Sequence, residues 1–257
     1  WAQPFVATVT PGTEPGDADA VLSRRNPRLR NRPQYSVEAT ESVLPSRVSP
    51  LPWLRILGPA RNQAARGTCS IFSVTAWLEA VMGERTGQSV DYSEEWLKYV
   101  ISSVQAADPV NDGAFTQDLF GAVSRYGMAR ERTLPYLGET WEHLGDSISR
   151  SRCGFVPARW RAGCLAGHYD PRLLNASIAN PFPELVRARQ EGQAFSTEHR
   201  TPGCRGAADC GERFFVSTPH RAKQFLASGL PVILDVDFYY GAWNHPAARG
   251  LGIQRDF

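Results

Sequence analysis

Cys69 stands apart from the other four cysteines of this chain, at the head of the apolar run Cys69-Ser70-Ile71-Phe72-Ser73-Val74. A cysteine on the first turn of a buried helix faces unsatisfied backbone N–H groups and the positive end of the helix dipole. Both favour thiolate over thiol. A thiolate so placed is a nucleophile for acyl transfer. The preceding Gly67-Thr68 permits a tight approach turn and leaves the sulfur open to one side. Gln63, six residues before Cys69, can present a side-chain amide to the same space. That amide and the backbone N–H of Cys69 would form a two-donor oxyanion hole, the element that usually carries the largest share of acyl-transfer catalysis. The opposing expectation for a cysteine in an apolar helix is a buried, inert side chain.

The elements that must position these groups are helices in the first half. Cys69 to Met82 is apolar on nearly every side, as a buried helix is, with Gly83 and Gly87 as stop signals. Tyr92-Ser93-Glu94-Glu95 reads as a helix start, with Ser93 capping, the acids favouring the dipole, and Trp96, Leu97, Val100 and Ile101 on one face. Thr116 to Tyr126 is a third helix, with Leu119, Phe120, Val123 and Tyr126 inward and Gly127 ending it. Residues 1–50, rich in proline, threonine, serine and arginine, read as an extended arm, linker or pro-segment. The pattern degrades over about 138–213, an irregular insert with one short helix, Pro183 to Gln190. Order returns with Thr218-Pro219, a helix to Ala227, and a buried strand from Pro231 to Phe238. The fold class expected is α+β, with a helical layer and a sheet layer meeting at a cleft.

The remaining cysteines lie as two near pairs, Cys153 with Cys164 and Cys204 with Cys210. Two short-range disulfides and one unpaired thiol is the simplest partition. The rival is a metal site from Cys153, Cys164, His168, Cys204 and Cys210, but neither pair has the tight separation usual for structural zinc. Disulfides are preferred, no metal or other cofactor is expected, and the bridges imply an oxidising compartment, secreted or periplasmic.

The string Gln63-Ala64-Ala65-Arg66-Gly67-Thr68-Cys69-Ser70-Ile71-Phe72-Ser73 resembles the active-site motif of papain-like cysteine peptidases. The glutamine-to-cysteine spacing matches, and Ser70 departs from the usual tryptophan. Asp112-Gly113-Ala114-Phe115 and then Leu134-Pro135-Tyr136 are similar to the family's substrate-wall glycine segment and the Pro-Tyr that follows it. Phe225 to Val232 looks like the lead into the first long strand of the second lobe. The resemblance covers about 51–136 and 218–237. It implies a two-lobe fold, with a helical lobe over about 51–137 and the start of a β-rich lobe over about 214–257. It also implies peptide-bond hydrolysis through a Cys69 thioester, with Gln63 in the oxyanion hole and Gly67, Gly113 and Ala114 along the substrate groove.

The family pairs its cysteine with a histidine oriented by an asparagine. His143, His168 and His199 fall in the irregular insert, and His220 precedes the expected strand. His245, in a loop after that strand, is the least unsuitable of the five. The expected location of the catalytic histidine and asparagine is therefore beyond Phe257, or on a second chain completing the fold. A module that has lost catalysis and binds peptide or protein is the alternative reading.

The net charge of +2 gives no reason to propose nucleic acid or an acidic membrane as partner, which leaves a peptide or protein substrate. Only Lys98 and Lys223 are lysines, and the arginine bias points to a GC-rich bacterial genome. In that setting the glycosylation-type triplet Asn175-Ala176-Ser177 carries no weight.

Overall fold

The computed structural model describes residues 6–9, 51–104, 112–199, 213–216, 219–227, 229 and 231–234. They fall into two compact units. One holds the described residues between 51 and 199, and the other holds 6–9 with those from 213 onward.

The first unit is helical. Its elements are α1 (Leu51–Ile56), α2 (Cys69–Thr86), α3 (Glu94–Val104), α4 (Thr116–Tyr126), α5 (Ser147–Cys153), α6 (Ala158–Gly167), a 3-10 turn (Pro171–Leu174) and α7 (Pro183–Glu198). The core is built where Ile71, Val74, Trp77, Leu78 and Val81 of α2 are buried together with Trp96, Leu97, Val100 and Ile101 of α3 and Leu119 and Val123 of α4. Ser93 caps α3 as expected: its hydroxyl accepts from Trp96 N at 2.9 Å and donates to Leu134 O at 2.5 Å. Gly127, at φ 68°, closes α4.

Helix α2 runs four residues beyond the expected end at Met82. Gly83 is not a stop but a contact: a Cβ there would come within 1.9 Å of Ile56 Cγ2, so the bare backbone lets α1 lie close. Gly87, left-handed at φ 69°, makes the cap.

The larger correction concerns residues 138–199, which are not irregular. Three helices and the 3-10 turn occupy them, and the helix expected to stop at Gln190 continues to Glu198. Helix α6 packs on α3 through small residues. A Cβ on Gly163 would lie 3.2 Å from Ser102 O, and one on Gly167 would lie 3.2 Å from Tyr99 Cα. Such backbone-to-backbone packing leaves no apolar stripe for periodicity to detect. The disulfide Cys153–Cys164 joins α5 to α6 inside a small core with Val156, Trp141, Leu144, Trp160 and Leu165. Cys204 and Cys210 lie outside the described residues, as does His245.

In the second unit, β1 (Val6–Val9) lies between β2 (Arg213–Val216) and β3 (Ile233–Leu234), parallel to both. Helix α8 (Pro219–Ala227) connects β2 to β3, with Phe225 and Val232 packed against Ala222. Residues 6–9, expected to be part of an extended arm, form the middle strand of this sheet. Four residues between prolines are too short a run to declare a strand period. Of the expected 231–238 strand, residues 231–234 are described, and within them the strand is Ile233–Leu234. No described helix is long and apolar enough to cross a membrane.

Candidate active site

Cys69 is the first residue of α2 and its side chain is exposed. The burial expected of an inert core cysteine is absent. Ile71, Val74 and Thr75, on the next turn, are buried, so the helix start is anchored while its first residue faces outward.

Loop 61–68 delivers the chain to that helix and is fixed at three points. At its start, Arg61 donates to Glu94 Oε1 at 2.7 Å, to Glu79 Oε1 at 2.9 Å and to Asp91 Oδ1 at 2.5 Å. In the middle, Arg66 is 1% exposed and uses all five of its N–H donors. Nε and one terminal nitrogen hold the two oxygens of Asp112, each at 3.0 Å. That terminal nitrogen also donates to Ala166 O at 2.8 Å. The other donates to Glu95 Oε2 at 2.9 Å and to Leu137 O at 2.8 Å. At the end, Tyr136 closes the loop. Its hydroxyl donates to Gln63 O at 3.0 Å, so at 2.6 Å Thr68 Oγ1 must be the donor to it. The Tyr136 ring also meets Phe72, near the start of α2, edge to face at a centroid distance of 4.9 Å.

The electrostatics follow from burial. Desolvation pushes the Asp112 carboxyl up, but hydrogen bonds and charge from Arg66, with Lys98 at 3.3 Å, more than reverse it and hold it below the usual range. Burial holds the Lys98 ammonium below its ordinary value, against the pull of Asp112. Glu95 accepts from Arg66, from Leu137 N at 3.2 Å and, through its other oxygen, meets His168 Nδ1 at 2.5 Å. Two cations and two carboxylates therefore sit together under the loop, which is the pairing buried charge requires.

The sequence-predicted residues come together as follows. Gly67, Ser70, Gly113 and Ala114 form one patch beside Cys69: Ala114 N donates to Ser70 Oγ at 3.2 Å. A Cβ on Gly113 would press to 3.0 Å from Gly67 O, so a side chain there would make that carbonyl give way by a few tenths of an ångström. Ser70 thus ties the Asp112–Phe115 segment to α2. Phe115 follows at 65% exposure. Gln63 is half-buried on the same loop, and its Nε2 donates to Arg66 O at 3.1 Å. One of its two amide hydrogens is therefore engaged by its own loop.

The histidines divide clearly. His168 is buried with both ring nitrogens engaged, Nδ1 by Glu95 and Nε2 by Glu139 O at 3.0 Å, and Trp141 packs on the ring. It supports the loop's counter-charge and is not offered to a substrate. His143 is exposed, and His199 caps α7 against Phe195. The side chain of His220 lies outside the described residues.

Sequence reasoning gives Arg66 no role, places Glu95 only as an acid favouring the helix dipole, and names His168 only as a metal-ligand candidate or a histidine of the insert. The one available signal is an isolated arginine in a loop of otherwise small residues, Ala64-Ala65-Arg66-Gly67. Among the described residues, no group of three or more His, Cys, Asp or Glu is arranged to hold a metal ion. Cys153 and Cys164, bonded to one another, cannot serve as thiolate ligands. No family model matches the chain.

Proposed function

We propose that this protein is a cysteine-type peptidase with Cys69 as nucleophile and a papain-like two-lobe fold, of which the first unit is the helical lobe. The observation that carries the reading is the exposed thiol at the first residue of a buried helix, reached through a loop fixed by the fully engaged Arg66. In the reaction the Cys69 sulfur attacks the scissile carbonyl carbon. The C–N bond breaks with proton transfer to the leaving amine, and water then hydrolyses the thioester. Gln63 and the Cys69 backbone N–H are the donors assigned to the developing oxyanion, and this requires the Gln63 amide to turn from Arg66 O toward the substrate. Gly67, Gly113 and Ala114 line the groove. The proton shuttle is not assigned to His168, which is held on both nitrogens. The Cys153–Cys164 disulfide is consistent with an oxidising compartment, and export is part of the proposal.

The second reading is a peptide- or protein-binding module without turnover. It is favoured by the engaged Gln63 amide and the sequestered His168. Hydrolysis of an unfolded protein substrate by the wild type, lost in Cys69→Ala, supports the peptidase. Binding of peptides with equal affinity by both forms, with no cleavage by either, would establish the module.

A further inference from the structure

Arg66 is the least expected feature of the loop. A guanidinium at 1% exposure is costly to desolvate, and an ion pair needed only for stability could be replaced, all partners together, by apolar residues of similar size. What distinguishes Arg66 is the range of its partners. Its five donors reach Asp112 (the residue before Gly113), Glu95 on α3, Leu137 O just past Tyr136, and Ala166 O near the end of α6. Four separate segments are thus referred to one side chain, three residues from Cys69, and the main-chain carbonyl of the same residue accepts from the Gln63 amide. The planar fork is what permits this: an ammonium cannot hold both oxygens of Asp112 while also meeting Glu95 and two carbonyls.

We infer that Arg66 is a positioning residue that locks the oxyanion-side loop (62–68) to the substrate-wall segment at Asp112-Gly113, so that the two sides of the groove keep one spacing about Cys69. Its carbonyl also parks Gln63 until substrate is present. Catalysis of this class depends on donor placement to within about an ångström, where a misplacement of that size costs on the order of a hundredfold. Only the kinetic part of the inference rests on the peptidase reading.

The test uses the full chain in three forms: wild type, Asp112→Asn and Arg66→Lys. Asp112→Asn keeps the shape and leaves Glu95 as counter-charge to Arg66, so it is the variant chosen to fold. Peptide-level hydrogen exchange is measured over 62–69 and, as internal reference, over α7. The expected result is faster exchange at 62–69 in both variants with α7 unchanged, and kcat lowered about tenfold or more with KM within about threefold. Unchanged protection of 62–69 in a folded Asp112→Asn overturns the inference. So does an equal rise in α7, which would mark Arg66 as a general stabiliser. If the wild type cleaves no substrate, the peptidase reading falls, and the exchange data alone decide whether Arg66 locks the loop.

Discussion

Arg61 donates to one oxygen of Glu94 at 2.7 Å, while the other oxygen of that carboxylate is buried with no hydrogen-bond partner among the described residues. Burial, only partly offset by Arg61, pushes the Glu94 carboxyl up to about 7. Glu79 and Glu131 are raised for the same first reason. A carboxyl raised in the folded state binds its proton more tightly there than in the unfolded chain. Its stabilising contribution is therefore complete at low pH and is lost as pH rises through the folded value. Stability should fall between about pH 5 and pH 7 by on the order of 1–3 kcal/mol, and Glu94→Gln should flatten that slope. Urea midpoints measured across this range check it; a slope unchanged in Glu94→Gln would show that Glu94 is not its source.

Acid should act in the opposite sense at Asp112, whose carboxyl Arg66 and Lys98 hold below its usual range against burial. Removing the guanidinium would leave Glu95 and Asp112 without their principal counter-charge. Arg66→Met is expected to cost about 3–5 kcal/mol or to prevent folding. Chemical denaturation at pH 7 measures the loss, and a cost below about 1 kcal/mol would contradict the burial assigned to this pair.

Where α4 ends against α7, Gly192 faces Tyr126 O. An added Cβ would lie 2.4 Å from that carbonyl and 3.2 Å from the Trp96 ring. Alanine is the better helix former, yet the clash with backbone should decide the sign. Gly192→Ala is expected to destabilise by about 1–3 kcal/mol. Gly145→Ala, whose Cβ meets nothing within 4 Å, serves as the neutral control.

The Cys153–Cys164 bridge closes a short loop between α5 and α6 with a separation of 11 residues. Loss of that constraint is expected to cost about 2–3 kcal/mol. Thermal melts of the double Cys153→Ala, Cys164→Ala variant measure it. A melting temperature equal to that of the oxidised wild type would mean that the core of Val156, Trp141 and Trp160 holds α5 and α6 unaided.

Helices with enough apolar residues are legible in the sequence: α2 as an apolar run from its start at Cys69, α3 from the Ser93 cap and its apolar face, and α4 from its apolar face with Gly127 closing it. Helices α5 and α6 are not. Ser-Ile-Ser-Arg-Ser-Arg-Cys has too few apolar positions for a period, and α6 is buried through Gly163, Cys164 and Gly167, which hydropathy does not weigh. The acids of α3 show the same limit at the site. Glu94 and Glu95 fit the helix dipole, which accounts for their type, but nothing in that rule says that Glu95 is buried between Arg66 and His168. Local rules report on a residue's own turn, whereas Arg66 takes its role from Asp112 and Ala166, 46 and 100 positions away.

The measurement closest to the central claim is reaction of the protein with a peptidyl epoxide, read by intact mass and peptide mapping. A nucleophilic, groove-facing Cys69 predicts a single adduct on the peptide that begins α2, absent in Cys69→Ala and accompanied by loss of proteolysis. No adduct on the wild type, or proteolysis that persists in Cys69→Ala, would contradict it.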